Sequence, residues 1–206
     1  MRGAALALTI GAAAGASRPD EGSVSRRDAE RELVHACQRG DREAFDRLVE
    51  RYQRDVYRLC YRYVNRHEDA NDLAQDAFLK AWRAVGRFRG DSAFSTWLYR
   101  IAVNACLNSR ALRRPLTQEL SERLADPRRG ADGDVESEDE SRRVREAVTR
   151  LPDKQRATLI LKVYHELTHE EVAEILGATV GTVKSNLFHA LANLRRLLVE
   201  AGEKRS

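Results

Sequence analysis

The chain has 206 residues, of which 33% are charged and only 6% are aromatic, and this favours two compact helical units over one large core. The net charge is only +4, but arginines gather near residues 110–114 and 195–205 while Asp132 to Glu140 is strongly acidic, and such local asymmetry bears more on nucleic-acid contact than the total. Three widely spaced cysteines without a CxxC pair argue against a disulfide framework or a thiolate zinc site.

The first residues resemble a short secretory signal. Arg2 precedes an Ala/Leu-rich run from Ala4 to Ala14, and small residues follow it, but the run is too short to span a bilayer. Since everything after Arg26 looks cytosolic, we expect a cytoplasmic protein whose residues 1–27 are a disordered extension or reflect a start site placed too early. Export is the alternative.

Helical periodicity begins at Asp28 and predicts a compact bundle over residues 28–114. A long helix is predicted from apolar residues at spacings of three and four: Phe45, Leu48, Val49, Tyr52, Val56, Leu59, Cys60 and Tyr63. After a polar break from Asn65 to Asp69, a second helix has Leu73, Ala77, Phe78, Ala81, Trp82 and Val85 on its inner face. A loop from Gly86 to Ser92 leads to a third helix, with Phe94, Leu98, Ile101 and Ala105 facing inward.

Residues 115–142 have the composition of a flexible linker. Pro115, Pro127, two glycines and the acidic run cannot bury enough apolar surface to fold alone. Helical periodicity returns with Val144 and predicts a second helical unit over residues 143–201, followed by a tail at 202–206. No strand pattern is present, so the predicted fold class is all-α.

The stretch FRGDSAFSTWLYRIAVN, from Phe88 to Asn104, combines arginines with aromatic residues around a Gly90-Asp91 turn. Cations that hold phosphates, rings that stack bases and a mobile loop are what binding to an unpaired DNA strand requires. The stretch therefore indicates a single-strand contact. Trp97 is equally suited to the core.

The region from His169 to Phe188 predicts a helix-turn-helix. Thr168 and Glu171 form a capping box, and Ala173, Gly177 and Val183 have the spacing by which two helices approach, turn and lock. The exposed face of the second helix is predicted to hold Thr182, Lys184, Ser185, Asn186 and His189, which can reach bases or phosphates. Its buried side is predicted to hold Leu187, Leu191, Leu194 and Leu198. The alternative is an ordinary helical hairpin.

A polar stripe lies on the predicted helix that follows the break from Asn65 to Asp69. It consists of Asp72, Gln75, Asp76, Lys80 and Arg83, and it fits either a solvated face or a docking surface for a basic partner helix.

The segment from His165 to His169 matches HExxH, the zinc-protease signature. The cap at Thr168, however, should separate the two histidines across a helix boundary. We interpret the HExxH match as coincidental.

Four ordered segments make the sequence resemble the extracytoplasmic-function sigma factors of bacterial RNA polymerase, particularly the sigma-E type. They are DLAQDAFLKAW (Asp72 to Trp82), FRGDSAFSTWLYRIAVN, LPDKQRATLIL (Leu151 to Leu161) and EEVAEILGATVGTVKS (Glu170 to Ser185). The likeness covers roughly Arg31 to Arg114 and Val144 to Val199. It implies that the two helical units are sigma region 2 and sigma region 4.

The resemblance also implies roles for particular residues. Docking on a coiled coil of the largest catalytic subunit of the polymerase is implied for Asp72, Gln75, Asp76 and Lys80. Capture of melted −10 DNA is implied for Phe88, Arg89, Gly90, Asp91, Ser92, Phe94, Thr96, Trp97, Tyr99, Arg100 and Asn104. Reading of the −35 region is implied for Thr182, Lys184, Ser185, Asn186, Phe188 and His189. The acidic linker would thread channels of the polymerase that otherwise hold RNA.

One departure from the family pattern concerns the −35 reader. Family members often carry Arg at the positions of Asn186, His189 and Leu191, and here all three lack a fixed positive charge. We therefore expect a −35 preference that differs from the usual one, or heavier reliance on −10 contacts.

The expected function is that of a dissociable initiation subunit, not an enzyme, which binds RNA polymerase core enzyme and promoter DNA without a cofactor or metal. Family members often bind an anti-sigma factor, although no residue here identifies one. Two alternatives are a stand-alone helix-turn-helix regulator, which would bind its operator without polymerase, and a secreted zinc protease using HExxH.

Overall fold

The computed structural model describes the backbone of residues 21–113 and 135–203, and the side chains of residues 28–109 and 140–201. The elements in the described parts are α1 (Glu21–Gln38), α2 (Arg42–Val64), α3 (His67–Ala84), a 3-10 turn (Val85–Arg87), α4 (Phe94–Arg113), α5 (Val135–Thr149), α6 (Asp153–Leu159), a π-helical turn (Ile160–Tyr164), α7 (His169–Leu176) and α8 (Val180–Glu203). These ranges contain no strand, which confirms the predicted all-α class.

The first helical unit is built around α2, the long helix that the apolar spacing predicted. Val56, Leu59 and Cys60 on this helix are fully buried against α3 and α4. The side chain of Asp41 accepts a hydrogen bond from the amide of Ala44 and begins the helix. Asn65 ends it in the left-handed conformation, with φ 55°, so the predicted polar break is only two residues long before α3 begins.

Two helices begin earlier than the sequence predicted. α1 starts at Glu21, within the segment expected to be an extension, because a helix that is nucleated by packing extends at one hydrogen bond per added residue. α5 starts at Val135, within the expected linker. The sequence places Glu138 and Asp139 four residues before Arg142 and Arg143, a spacing that favours a helix and suits its dipole. Residues 1–20 and 114–134, the rest of the extension and of the linker, lie outside the described residues.

The second unit packs α5, α6 and α7 against the long helix α8. Its core includes buried side chains from all four helices, the connection between α5 and α6, and the π-helical turn: Ala147, Val148, Leu151, Ala157, Leu159, Ile160, Leu161, Val172, Ala173, Ile175, Val183, Ala190 and Leu197. On α8 the buried positions are Val183, Ala190 and Leu197, which recur every seven residues. This spacing defines a narrow seam on one side of α8 and leaves the rest of its surface outside the core.

The two units contact each other directly. The guanidinium of Arg62, near the end of α2, lies 3.6 Å from the ring centroid of Tyr164 in the π-helical turn. The ring of Tyr99 on α4 lies 5.3 Å from the ring of His165. Tyr99 is 7% exposed. The sequence predicted two separate units, and their mutual packing emerges only from the tertiary structure.

None of the helices in the described ranges combines the length and apolarity that crossing a membrane requires.

Candidate nucleic-acid interfaces

The helix-turn-helix begins with the capping box that the sequence predicted. The hydroxyl of Thr168 accepts a hydrogen bond from the amide of Glu171 at 3.2 Å, and the Glu171 carboxylate accepts one from the amide of Thr168 at 2.8 Å. Two amide groups that would lack helical partners are therefore satisfied. This cap fixes the residue at which α7, the first helix of the motif, begins.

The turn between α7 and α8 depends on Gly177, which has φ +59°. The following amide, of Ala178, donates to the carbonyl of Ala173 at 2.9 Å and closes the end of α7. The hydroxyl of Thr179 then accepts from the amide of Thr182 at 3.1 Å and caps α8. Val183 is fully buried beneath this turn. Ala173, Gly177 and Val183 therefore lie where a helix-turn-helix needs a small residue, a left-handed turn and a buried apolar residue.

The predicted reading face of α8 is accessible. Thr182, Lys184, Ser185, Phe188 and His189 are exposed, and Asn186 is partly buried. The ring of Phe188, which is 70% exposed, stands edge-on to the ring of His189 at 5.6 Å. The face thus combines one cation, short hydrogen-bonding side chains and an unprotected aromatic ring.

The prediction that Leu191 is buried was wrong. Its side chain is 47% exposed, whereas Leu187, Leu194 and Leu198 are partly buried against the core. Leu191 follows the seam residue Ala190 and is therefore turned about 100° away from the seam around the helix axis. Leu197, which was not among the predicted buried positions, continues that seam and is buried.

The loop that precedes α4 presents polar groups at the surface. Gly90 has φ +74°, which a residue with a side chain rarely adopts, and it turns the chain between Arg89 and Asp91. These two side chains are exposed and form an ion pair at 3.0 Å. Ser92 is partly buried, and Arg100 and Asn104 are exposed farther along α4.

The aromatic residues of this stretch face inward. Phe94, Thr96, Trp97 and Tyr99 are buried, and Phe88 is partly buried. The Phe88 ring lies 5.1 Å from Trp97 and 5.9 Å from Phe94, and the last two rings are 5.5 Å apart. The rings form a cluster beneath the loop. In this structure they support the loop from below, while its polar groups meet the solvent.

The polar stripe on α3 forms one continuous face. Asp72, Gln75, Asp76 and Lys80 are all exposed, and the Lys80 ammonium contacts the Asp76 carboxylate at 2.8 Å. Gln75 also borders a groove of about 440 Å³ between α2 and α3, whose apolar lining includes Val49 and Phe78. A polar rim beside an apolar groove is an arrangement suited to a docked helix.

The HExxH match has no geometry for zinc. His165 follows the π-helical turn, Glu166 has φ +53°, and Thr168 caps α7 before His169. The two histidines therefore do not share the face of one helix, as the zinc-protease motif needs. The described residues contain no group of three or more His, Cys, Asp and Glu side chains arranged to hold a metal ion.

All three cysteines are buried free thiols. The sulfur atoms of Cys60 and Cys106 lie 3.8 Å apart in the core of the first unit. The hydrogen bond to Cys60, together with burial, raises the pKa of the Cys106 thiol well above its usual value. A thiol that is held protonated in this way is a poor nucleophile.

Two polar residues escaped the sequence analysis. Gln38 contacts the backbone at the base of the loop before α4, and Arg156 contacts the backbone of the first unit from the second. Gln38 lies just before a Gly-Asp turn, and Arg156 directly precedes the largely apolar run from Ala157 to Leu161. Neither position indicates in the sequence which distant backbone group the side chain will contact.

Comparison with known proteins accounts for both units. The family model for Sigma-70 region 2 matches residues 48–114, which contain most of α2, all of α3 and α4, and the exposed loop. The model for Sigma-70, region 4 matches residues 141–194, which contain the helix-turn-helix.

Curated relatives and a solved structure agree with these matches. The chain is 39% identical over 174 residues to the RNA polymerase sigma-H factor of Pseudomonas aeruginosa, covering 79% of this chain and 90% of that one. It is 41% identical over 169 residues to the ECF RNA polymerase sigma-E factor of Escherichia coli K12, covering 77% and 88%. The structure of CnrH in complex with the cytosolic domain of CnrY matches with a TM-score of 0.64 at 27% identity, covering 84% of this chain and 99% of that one. The chain belongs to the extracytoplasmic-function sigma factors of the sigma-70 family, the initiation factors that direct bacterial RNA polymerase to promoters.

Proposed function

We propose that this sigma factor uses three separate exposed surfaces, one for the polymerase core and two for promoter DNA. The observation that carries the proposal is that each surface has exposed residues and lies on a helix, or directly before a helix, that packs into the core. Divided recognition needs only modest affinity from each surface, because binding to one polymerase makes the two DNA contacts part of a single complex. The chain would act as an initiation factor without catalysis of its own, in the cytoplasm where the polymerase works.

The α3 face is the proposed docking surface for the polymerase core. Asp72, Gln75 and Asp76 carry two exposed carboxylates and an amide, and the adjacent groove offers Phe78 to a partner helix. Complementary charge steers association and sets the register of docking. A partner helix with basic and apolar residues on one side fits this surface.

The loop around Gly90 is the proposed −10 contact. Arg89, Arg100 and Asn104 are exposed and can hold the phosphates or base edges of the non-template strand. The partly buried Phe88 and the buried Trp97 would form the floor of the site, so that a flipped base is enclosed by the loop. Extruding a base costs a few kcal/mol, and the contacts of such a pocket offset that cost.

The first turns of α8 are the proposed −35 reader. Lys184 and Ser185 can contact phosphate or guanine, and Asn186 can pair with adenine through two hydrogen bonds. Phe188 and Leu191 add an exposed apolar edge, and Leu191 is at one of the positions where family members often carry Arg. Apolar side chains of this kind read the methyl group of thymine, so we expect thymines at the corresponding −35 positions.

A protein inhibitor is a further proposed partner. CnrH was solved in complex with the cytosolic domain of CnrY, and this chain has exposed apolar side chains at Leu79 and Phe188 on two of the proposed binding surfaces. An anti-sigma factor that covered these side chains would block both core docking and −35 reading. Purification of the chain from its native cell with its bound proteins would identify such an inhibitor.

Reconstituted transcription tests the proposed surfaces. Sigma-free core polymerase is mixed with the chain and a pool of genomic promoter fragments, and new transcripts are sequenced. Asp76→Arg should abolish core binding, whereas Lys184→Ala should retain core binding and weaken use of promoters that depend on the −35 region. Core binding that survives Asp76→Arg would contradict the docking assignment. DNA binding by the free chain at full affinity would instead favour a stand-alone regulator.

A further inference from the structure

The amide side chain of Gln38, the last residue of α1, binds the base of the loop that precedes α4. Its Nε2 lies 2.7 Å from the carbonyl oxygen of Phe88 and 3.4 Å from that of Val85. Since carbonyl oxygens only accept, both contacts require the NH₂ group of the amide and fix its orientation. The side-chain oxygen of Gln38 then faces Nδ1 of His35 at 3.1 Å, so this nitrogen carries a proton and donates.

The position of Gln38 is itself fixed by contacts in the middle of α1 and just after its last residue. Two turns earlier, the Glu30 carboxylate accepts a hydrogen bond from the Tyr52 hydroxyl and pairs with Arg51 at 3.4 Å. Burial, and then the bond to Glu30, raise the pKa of Tyr52 and keep its hydroxyl protonated as a donor. After Gln38, the amide of Asp41 donates to the carbonyl of Ala36 at 3.1 Å and closes the turn. These contacts hold helix α1 in one register against α2.

The same part of the fold also holds the other end of the loop. The ring of Tyr52 lies 5.8 Å from the ring of Phe94, the first residue of α4. The loop is thus held at its entry by the amide of Gln38 and at its exit by the ring of Tyr52. Between these two points, Arg89, Gly90 and Asp91 extend into solvent.

We propose that Gln38 is a positioning residue for −10 recognition: its amide holds the entry of the loop so that the loop encloses the captured base. This inference rests on the proposed −10 role of the loop. The residue does not touch DNA in this proposal and acts only through the Phe88 and Val85 carbonyls. Loss of the amide donors should therefore lower discrimination between bases more than it lowers binding to the polymerase.

The decisive variant is Gln38→Glu, which keeps the size of the side chain but places a carboxylate against two carbonyl oxygens. Holoenzyme assembled with this variant is compared with the unchanged holoenzyme on a selected promoter and on the same promoter with the captured −10 base replaced. We expect the ratio of open complexes on the two templates to fall about three- to tenfold, the effect of one or two lost hydrogen bonds. Affinity for the core should not change. Gln38→Met, which removes the donors without adding charge, should lower the ratio in the same direction.

Arg39→Gln is the matched control, because it makes the same change in net charge at the adjacent exposed position and should leave the ratio unaltered. An equal fall in open complexes on both templates for Gln38→Glu, or an equal fall in the ratio for Arg39→Gln, would overturn the proposal. Arg89→Ala and Asp91→Ala test the loop itself. A lower ratio in these loop variants together with a normal ratio in both Gln38 variants would refute only the role of Gln38. A normal ratio in the loop variants would refute the −10 assignment and, with it, the role of Gln38.

Discussion

The side chain of Arg156 in the second helical unit donates a hydrogen bond from Nη1 to the backbone carbonyl of Tyr63 in the first, across 3.0 Å. The same guanidinium donates from Nε to the carbonyl of Val148 at 2.9 Å and from Nη2 to that of Leu151 at 3.3 Å, and it lies 5.1 Å from the centre of the Tyr63 ring. At 2% exposure, Arg156 is a buried cation whose donors bind the ends of helices from both units. One side chain therefore holds segments of the second unit together and also binds the second unit to the first.

Replacing Arg156 with leucine should destabilise the protein. The change leaves three buried carbonyl groups without these donors, and one unsatisfied buried polar group costs about 1–3 kcal/mol. We expect the free energy of unfolding, measured by urea denaturation, to fall by at least about 2 kcal/mol. Arg150→Leu, at an exposed position six residues earlier, should change it by no more than about 0.5 kcal/mol. Equal effects of the two substitutions would show that the buried contacts of Arg156 do not matter for stability.

Packing between the two units should weaken in mild acid through His165. Burial lowers the pKa of this imidazole, Asp55 opposes the shift, and Arg62 and Arg58 add to it. Tyr99 lies against the ring, and Nε2 of His165 has no hydrogen-bond partner among the described residues. The ordinary pKa of histidine is about 6.5, and a histidine with a lower pKa in the folded state binds protons more readily when the protein is unfolded. Its contribution to the stability of the folded state is therefore complete above about pH 6.5 and is lost as the pH falls below this value.

Stability measured at pH 7.5 and pH 5.5 tests this linkage. The unchanged protein should lose more stability on acidification than His165→Phe, which keeps an aromatic ring against Tyr99 but cannot be protonated. His189→Phe, at an exposed position on α8, should retain the pH dependence of the unchanged protein. If His165→Phe and the unchanged protein lost the same free energy of unfolding on acidification, the pH dependence of stability would have to come from other groups.

Adding a positive charge at Leu191 should restore the salt sensitivity that the family pattern implies. Each additional phosphate contact steepens the log–log dependence of binding on salt by about 0.9. We expect Leu191→Arg holoenzyme to show such a steeper slope on a promoter that depends on its −35 region, and to lose preference for thymine at the position that Leu191 contacts. Val199→Arg adds the same charge to an exposed site two turns farther along α8. An equally steep slope for Val199→Arg would mean that charge alone, and not its position, determines the effect.

Two glycines near the turn of the helix-turn-helix should respond oppositely to alanine. Gly177 has φ +59°, so Gly177→Ala forces a left-handed alanine and should cost about 1–2 kcal/mol, although a Cβ there would meet no neighbouring atom within 4 Å. Gly181 lies within α8, where a Cβ would meet only the Thr179 hydroxyl at the ordinary distance of 3.8 Å. Gly181→Ala should therefore stabilise the protein by up to about 1 kcal/mol. Thermal unfolding of both variants measures whether the two changes in stability have opposite signs. A stabilising effect of Gly177→Ala would show that the turn adopts another conformation.

The sequence was sufficient to predict the features that depend on a single helix, a single cap or a single turn. The spacing of apolar residues located α2 and α3, the Thr168–Glu171 pair located the start of α7, and Gly177 located the turn. These features depend on residues that are close in sequence, and their physics is local. The resemblance to the family then assigned roles that composition alone left open, above all for the acidic face of α3.

Which side chains of each element remain exposed depends on how the helices pack against one another. The same aromatic residues suited either base stacking or a core, and packing against α2 placed Phe94 and Trp97 inside. Leu191 followed the periodicity of a buried leucine, but the seam on α8 lies one residue earlier, at Ala190. Gln38 and Arg156 bind backbone groups that are 50 and 93 residues away in the chain. No local pattern encodes such a pairing, because its energy depends on carbonyl groups that come together only when the helices have packed.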